Sequence, residues 1–127
     1  EKDERNAFLN YGYSILLSAV NREIASDGFS MQLCVHHIGS TNPFNLGCDF
    51  MEPLRAIVDL RVVKGEINED NFKKEFNQML SQQVYMSGKN CFLDNAIRQY
   101  VLSLFTALAM SDMSQVKTIK FAQDEQL

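Results

Sequence analysis

Two short stretches of the sequence hold side chains of the types that bind metal ions. His36 and His37 lie in a loop, and Asp49 and Glu52 follow a turn, in a segment with a helical pattern. Carboxylates three residues apart on a helix share one face and lean toward a common point, where a histidine from the incoming loop would meet them. This combination indicates a divalent-metal site. Solvated surface carboxylates beside an ordinary packed or exposed histidine pair remain the alternative, because short motifs often match by chance.

The hydrophobic pattern predicts the helices that position these residues. A first helix is expected from Asp3 or Asn6 to about Ala25, with Gly28 ending it. Its apolar stripe is predicted to contain Leu9, Tyr13, Leu16, Leu17, Val20 and Ile24. A second helix is expected from Phe44 or Asn45 to Val63. It should be interrupted at Pro53, because a proline deletes a backbone hydrogen bond and bends the axis. The buried side of this helix is predicted to carry Leu46, Phe50, Leu54, Ile57, Val58, Leu60 and Val62.

The second half of the chain predicts two more helices and a hairpin. Asn68 is expected to cap a third helix that runs to Leu80. Residues 83–86 and 90–93 flank Ser87-Gly88-Lys89, which is typical of a small β-hairpin. Asp94 or Asn95 should cap a last core helix to about Ser111, and residues 116–122 form either a strand against a partner protein or a loose tail. The sequence therefore predicts a mainly α, helical bundle-like domain with one small β-hairpin.

Composition limits the kinds of protein that this chain can be. Its 127 residues, 46% of them hydrophobic, suffice for one domain with a real core. The longest apolar run, residues 15–20, is too short to cross a bilayer, so we expect a soluble, cytoplasmic protein without a membrane partner. Three unpaired cysteines argue against a disulfide framework and against a cysteine-based zinc site. The net charge of −4 speaks against nucleic-acid binding, unless a bound cation cancels the local carboxylates.

Three arginines are the candidate cations for a nucleic-acid backbone. Arg22 and Arg61 are better explained as members of ordinary ion pairs. Arg55 lies one turn after Glu52, where it either orients that carboxylate or contacts a phosphate.

The order and spacing of several motifs resemble the CRISPR-associated integrase that acquires new spacers, in its type II-like version. The motifs are Asn6-Ala7-Phe8-Leu9-Asn10-Tyr11-Gly12-Tyr13, Cys34-Val35-His36-His37, Asn42-Pro43-Phe44-Asn45 and Asp49-Phe50-Met51-Glu52-Pro53-Leu54-Arg55-Ala56. The resemblance extends from about Asn6 to Asp59. Cys34, Leu54 and Ala56 depart from the residues common in the family, and none of them removes a ligand.

The resemblance implies a metal-dependent DNA endonuclease and integrase, which inserts spacer DNA into the repeat array by phosphoryl transfer. Carried over by position, it makes His37 and Glu52 the catalytic metal ligands, with Asp49 close enough to assist, and it brings Tyr11 near the DNA-processing site. Tyr11 and Arg55 are thus the candidate DNA contacts, with simple packing as the alternative for Tyr11. Oxygen ligands with one imidazole suit Mg²⁺ or Mn²⁺. The implied partners are double-stranded DNA from spacer ends and repeat, a small ferredoxin-fold adaptation protein, and a second copy in a homodimer, all in the bacterial cytoplasm.

The resemblance also implies that residues 1–127 are a C-terminal helical catalytic domain. The family's N-terminal β domain and its first metal-binding glutamate have no counterpart in this sequence. A noncatalytic helical fragment with a role in assembly therefore stays open as an alternative. A second alternative is an unrelated zinc hydrolase built from His36, His37 and Glu52, although the usual His-Glu-x-x-His helix is absent.

Overall fold

The computed structural model describes residues 2–26 and 43–120, which are mainly helical. In chain order the elements are α1 (Lys2–Ser26), α2 (Pro43–Met51), a first 3-10 turn (Glu52–Leu54), α3 (Arg55–Val63), α4 (Phe72–Asn77), a second 3-10 turn (Met79–Ser81), β1 (Gln83–Met86), β2 (Lys89–Phe92), α5 (Leu93–Met110) and a third 3-10 turn (Met113–Gln115). The predicted mainly α fold with a β-hairpin is confirmed.

The long helix α1 contacts all the other α-helices, α2 to α5. The residues on its buried face are Phe8, Gly12, Leu16, Ala19, Val20 and Ile24. The predicted stripe is thus right at Leu16, Val20 and Ile24, whereas Leu9, Tyr13 and Leu17 are only half-buried. Both sets fit a helical stripe, so the contacts of α1 with its neighbours, and not the period alone, determine which of the two is buried.

Gly12 lies at the closest approach of α1 to its neighbours. A Cβ atom at this position would lie 2.7 Å from Cγ1 of Val58 in α3 and 2.8 Å from Cε1 of Phe76 in α4. Only a residue without a side chain allows this approach, so the glycine fixes how α1 packs on both helices.

The predicted second helix is interrupted at Pro53, as the sequence indicates. Pro53 has no N–H group to bond the carbonyl of Asp49, and the chain tightens into the 3-10 turn Glu52–Leu54 before α3 begins at Arg55. Most of the predicted buried residues for which burial is described are buried: Phe50, Leu54, Ile57, Val58 and Val62. Leu60 is an error of the prediction, because it is 39% exposed.

The third helix begins later than predicted. Asn71, not Asn68, precedes α4, and its side chain does not cap the helix. The Oδ1 atom of Asn68 instead accepts hydrogen bonds from the backbone N–H groups of Asp70 and Asn71, at 2.9 and 3.0 Å. The asparagine therefore stabilises the turn before the helix, where its side chain competes with helical hydrogen bonding.

The hairpin forms where the sequence predicts it. Met86 pairs with Lys89, which leaves Ser87 and Gly88 as a two-residue loop. Both loop residues have positive φ, 55° and 76°, as a type I′ turn requires. One face of β1 is buried through Val84 and Met86, so the hairpin packs on the core while its turn stays exposed.

Helix α5 forms the other side of the core and ends at Ser111. Phe92 precedes it without a side-chain cap, so the predicted caps Asp94 and Asn95 are wrong. Ser111 has a φ of 52°, and this left-handed residue reverses the chain. The chain then returns to the hairpin, where Lys120 forms an antiparallel bridge with Tyr85. At Lys120 the tail is therefore attached to the chain's own hairpin, and its expected pairing with a partner protein stays a prediction.

Two further predictions concern the described part of the chain. Cys48 and Cys91 are free thiols, and Cys34 lies outside the described residues, so the expected lack of a disulfide framework stays a prediction. None of the helices described here combines the length and the apolar character that a membrane span needs.

Candidate functional site

Asp49 and Glu52 lie at the surface, on the last turn of α2 and at the start of the first 3-10 turn. The residues between and after them, Phe50, Met51 and Leu54, are at most 6% exposed and anchor this segment in the core. The carboxylates are therefore held on a rigid support but remain open to solvent.

Arg55 is the ionic partner of Glu52. Its Nε atom lies 3.4 Å from Oε2 of Glu52. Side chains three residues apart eclipse one another in a 3-10 turn, which explains the contact. Both side chains are well exposed, at 44% for Arg55 and 65% for Glu52. A pair of this kind contributes little to stability, so a cation can displace the guanidinium from Glu52 at low cost.

Tyr13 links Arg55 to α1, and the sequence prediction missed this role. The guanidinium carbon of Arg55 lies 4.9 Å from the centroid of the Tyr13 ring, a cation–π distance. The Tyr13 hydroxyl donates a hydrogen bond to Oδ1 of Asp59 on α3. Partial burial and this bond raise the pKa of Tyr13 to about 12, so the hydroxyl keeps its proton at neutral pH. The sequence did contain one indication of this role, because a tyrosine in an otherwise aliphatic stripe needs a polar partner for its hydroxyl.

Tyr11 contacts a different helix from Tyr13. Its ring packs edge-on against Phe72, with centroids 5.2 Å apart, and its hydroxyl accepts a hydrogen bond of 3.3 Å from Nδ2 of Asn77. Residues two apart on a helix point to nearly opposite sides. Tyr11 therefore belongs to the packing of α4, and its expected DNA contact stays a prediction.

The metal-ligand set is only partly within the described residues. Asp49 and Glu52 supply oxygen donors of the kind that Mg²⁺ and Mn²⁺ prefer. Within residues 2–26 and 43–120, no three His, Cys, Asp or Glu side chains come together in a way that would hold an ion. His36 and His37 lie outside the described residues, so the assignment of His37 as a ligand stays a prediction, as does the zinc alternative. The residues present fit a hard divalent ion as part of a donor set.

The two other arginines form ion pairs, as expected from the sequence. Arg22 lies 2.6 Å from Asp94 on α5, and Arg61 lies 3.7 Å from Glu75 on α4. Arg61 also donates hydrogen bonds of 2.8 and 3.2 Å to Gln82. Both arginines connect separate elements rather than turns of one helix.

Comparison with known proteins identifies the family of this chain. Residues 1–106 match the sequence model of the family described as "CRISPR associated protein Cas1". A curated relative, the CRISPR-associated endonuclease Cas1 of Neisseria meningitidis serogroup C (strain 8013), is 47% identical over 58 residues, which are 46% of this chain. The match spans only 19% of that relative's length. Since the family model covers most of the chain, including the Asn-Tyr-Gly-Tyr helix and the Glu52 turn, the chain belongs to the Cas1 family.

Proposed function

We propose that this chain forms the helical catalytic lobe of a divalent-metal-dependent DNA endonuclease and integrase of CRISPR adaptation. The observation that carries the proposal is Glu52, an exposed carboxylate on a rigid 3-10 turn whose ionic partner is weakly held. Membership in the Cas1 family and the similarity to a protein named as an endonuclease support the reaction class.

In the proposed reaction, Glu52 binds Mg²⁺ or Mn²⁺ together with His37, and Asp49 assists. The ion, when bound, activates a 3′-hydroxyl or a water and neutralises charge on the scissile phosphate. With Glu52 as a ligand, the guanidinium of Arg55 would lose its ionic partner and could contact a DNA phosphate. The Tyr13 ring keeps Arg55 beside the site during this exchange, because the cation–π contact does not depend on Glu52.

The proposed partners follow from the family. They are spacer and repeat DNA, a small ferredoxin-fold adaptation protein and a second copy of the chain. Noncatalytic assembly is the alternative, and the composition of the described ligand set supports it, because Asp49 and Glu52 alone are a small set for an ion with six or more ligands.

Manganese binding tests the proposal directly. Paramagnetic resonance titration of the native chain with Mn²⁺ is compared with Glu52→Gln, which keeps the shape of the side chain and removes its charge. Glu66→Gln, at an exposed loop glutamate outside the site, is the matched control. We expect bound Mn²⁺ in the native and control proteins and its loss in Glu52→Gln. Equal binding by all three proteins would rule out Glu52 as a ligand, and no binding by the native chain would favour noncatalytic assembly.

Strand transfer by the same variants tests the reaction itself. A labelled duplex with free 3′ ends is incubated with a repeat-containing plasmid and Mn²⁺. The substitutions are made in a longer protein of the family that contains this lobe, where we expect joined products with the native and control sequences and none with Glu52→Gln. Joining that survives Glu52→Gln would contradict the catalytic role.

A further inference from the structure

A cleft lies between the hairpin turn and the returning tail, on different elements from the Glu52 site. It has a volume of about 500 Å³, and its walls include Ser87 and Gly88 of the turn and, from the tail, residues 114–118 and Lys120. Two lysines, Lys117 and Lys120, are among the lining residues. Within the part of the chain that the structure describes, no carboxylate lines the cleft.

The backbone of both lysines is fixed by hydrogen bonds. The N–H group of Lys117 donates to the hydroxyl of Ser103, a residue only 6% exposed, at 2.9 Å. Lys120 exchanges two backbone hydrogen bonds with Tyr85, at 2.7 and 2.8 Å. Both lysine residues are themselves exposed. The cleft therefore presents two positive charges from anchored positions, so little backbone ordering remains to be done when a ligand binds.

Asp112, the acidic residue that precedes the cleft segment in the described tail, is already engaged. Asp112 accepts hydrogen bonds from the backbone N–H and the hydroxyl of Ser114, at 3.0 and 2.7 Å, and from the amide of Gln115 at 3.3 Å. These bonds lower the pKa of Asp112, so it stays charged at neutral pH, but it is not part of the cleft lining.

The residues that line the cleft favour a ligand that carries several phosphate groups in a row. Its size is that of small-molecule sites, but those sites are predominantly apolar, whereas most residues that line this one are polar or charged. Paired lysines with hydroxyl donors are typical of contacts to phosphates. The net charge of −4 means that such a local excess of positive charge is not a general property of the surface.

We propose that this cleft binds the phosphodiester backbone of DNA, through the ammonium groups of Lys117 and Lys120 and the hydroxyls of Ser87 and Thr118. The contact is distinct from the metal site and does not need the metal, because none of its residues belongs to α2, the first 3-10 turn or α3. This contact lets a chain of net negative charge bind nucleic acid without a metal ion.

Binding of a labelled 20-base-pair duplex, followed by fluorescence anisotropy in EDTA, tests this proposal. The variant Lys117→Gln/Lys120→Gln is compared with Lys73→Gln/Lys74→Gln, which removes the same charge from two exposed lysines on α4. Each phosphate contact contributes about 0.7–0.9 to the slope of log K against log salt, so loss of two contacts should weaken binding by roughly 25- to 60-fold at 0.1 M salt. The slope should fall by about 1.4–1.8 in the cleft variant and change much less in the α4 variant.

Three outcomes would overturn the proposal. Native chain that does not bind the duplex in EDTA excludes the contact. Equal weakening in the two variants attributes binding to overall charge. Backbone amide shifts at Lys117 and Lys120 with inorganic phosphate, but none with the duplex, would assign the cleft to a free oxyanion. Equal melting temperatures of the native chain and both variants show that any difference in affinity is not a folding effect.

Discussion

Replacing Gly12 by alanine tests how closely α1 packs on α3 and α4. The new methyl carbon would lie 2.7 Å from Cγ1 of Val58 and 2.8 Å from Cε1 of Phe76. Ordinary contacts between carbon atoms are about 3.5–4.0 Å, so the methyl group is too close to two atoms at once. Val58 and Phe76 are both 0% exposed, and neither can rotate into solvent to relieve the contact.

Two opposing terms determine the change in the free energy of unfolding. Overpacking of a buried site costs about 1–3 kcal/mol, and contact on two sides places Gly12→Ala in the upper part of that range. Alanine in a helix interior recovers roughly 1 kcal/mol relative to glycine. We therefore expect Gly12→Ala to destabilise the chain by about 1–2 kcal/mol.

Gly47→Ala is the matched control, because it makes the same substitution in α2. Its methyl carbon would lie 2.0 Å from Oδ1 of Asn21 and 3.4 Å from Cδ1 of Leu17. Asn21 is exposed, so the end of its side chain can move into water, and the contact with Leu17 is an ordinary one. The helix propensity of alanine should then offset most of the cost, leaving the free energy of unfolding within about 0.5 kcal/mol of native.

Urea unfolding followed by far-UV circular dichroism measures both variants. Equal m-values allow their midpoints to be compared as stabilities. A Gly12→Ala protein as stable as the native chain would refute the close packing of α1. A larger loss in Gly47→Ala than in Gly12→Ala would refute the distinction between buried and exposed neighbours.

Two tyrosine hydroxyls give further predictions. Because the pKa of Tyr13 is raised from 10.0 to about 12, its stabilising effect is complete below pH 10 and is lost as the pH rises toward 12. Thermal unfolding between pH 9 and 11.5 should show this loss in the native chain and a weaker one in Tyr13→Phe, and parallel curves would contradict it. Tyr100→Phe removes a 2.8 Å hydrogen bond to the carbonyl of Phe50 at a residue only 5% exposed. It should cost about 1–3 kcal/mol in urea unfolding, since a buried carbonyl loses its donor, and an unchanged midpoint would contradict this assignment.

Features with a local cause were predictable from the sequence. Pro53 interrupts its helix because the missing N–H group acts within one turn. The Ser87-Gly88 loop forms a hairpin because both residues accept positive φ. Surface exposure of Glu52 agrees with the polar positions of an amphipathic helix.

Features that depend on contacts between residues far apart in the chain could not be predicted from the periodicity of the sequence. The bond between Tyr13 and Asp59 joins residues 46 positions apart, so the spacing within α1 indicated burial but not the partner. The bridge between Lys120 and Tyr85 likewise depends on where Ser111 turns the chain. Asn68 misled the prediction of α4 because an asparagine side chain stabilises a turn as readily as a helix start.

The bridge between Lys120 and Tyr85 also affects how this protein meets other copies of itself. Strand β1 pairs with β2 on one side, and the bridge occupies the Tyr85 backbone groups on its other side. An uncovered strand edge is a template for the addition of strands from other molecules. The returning tail thus blocks the addition of strands from other molecules at Tyr85, and shortening the chain before Lys120 would expose this edge of β1.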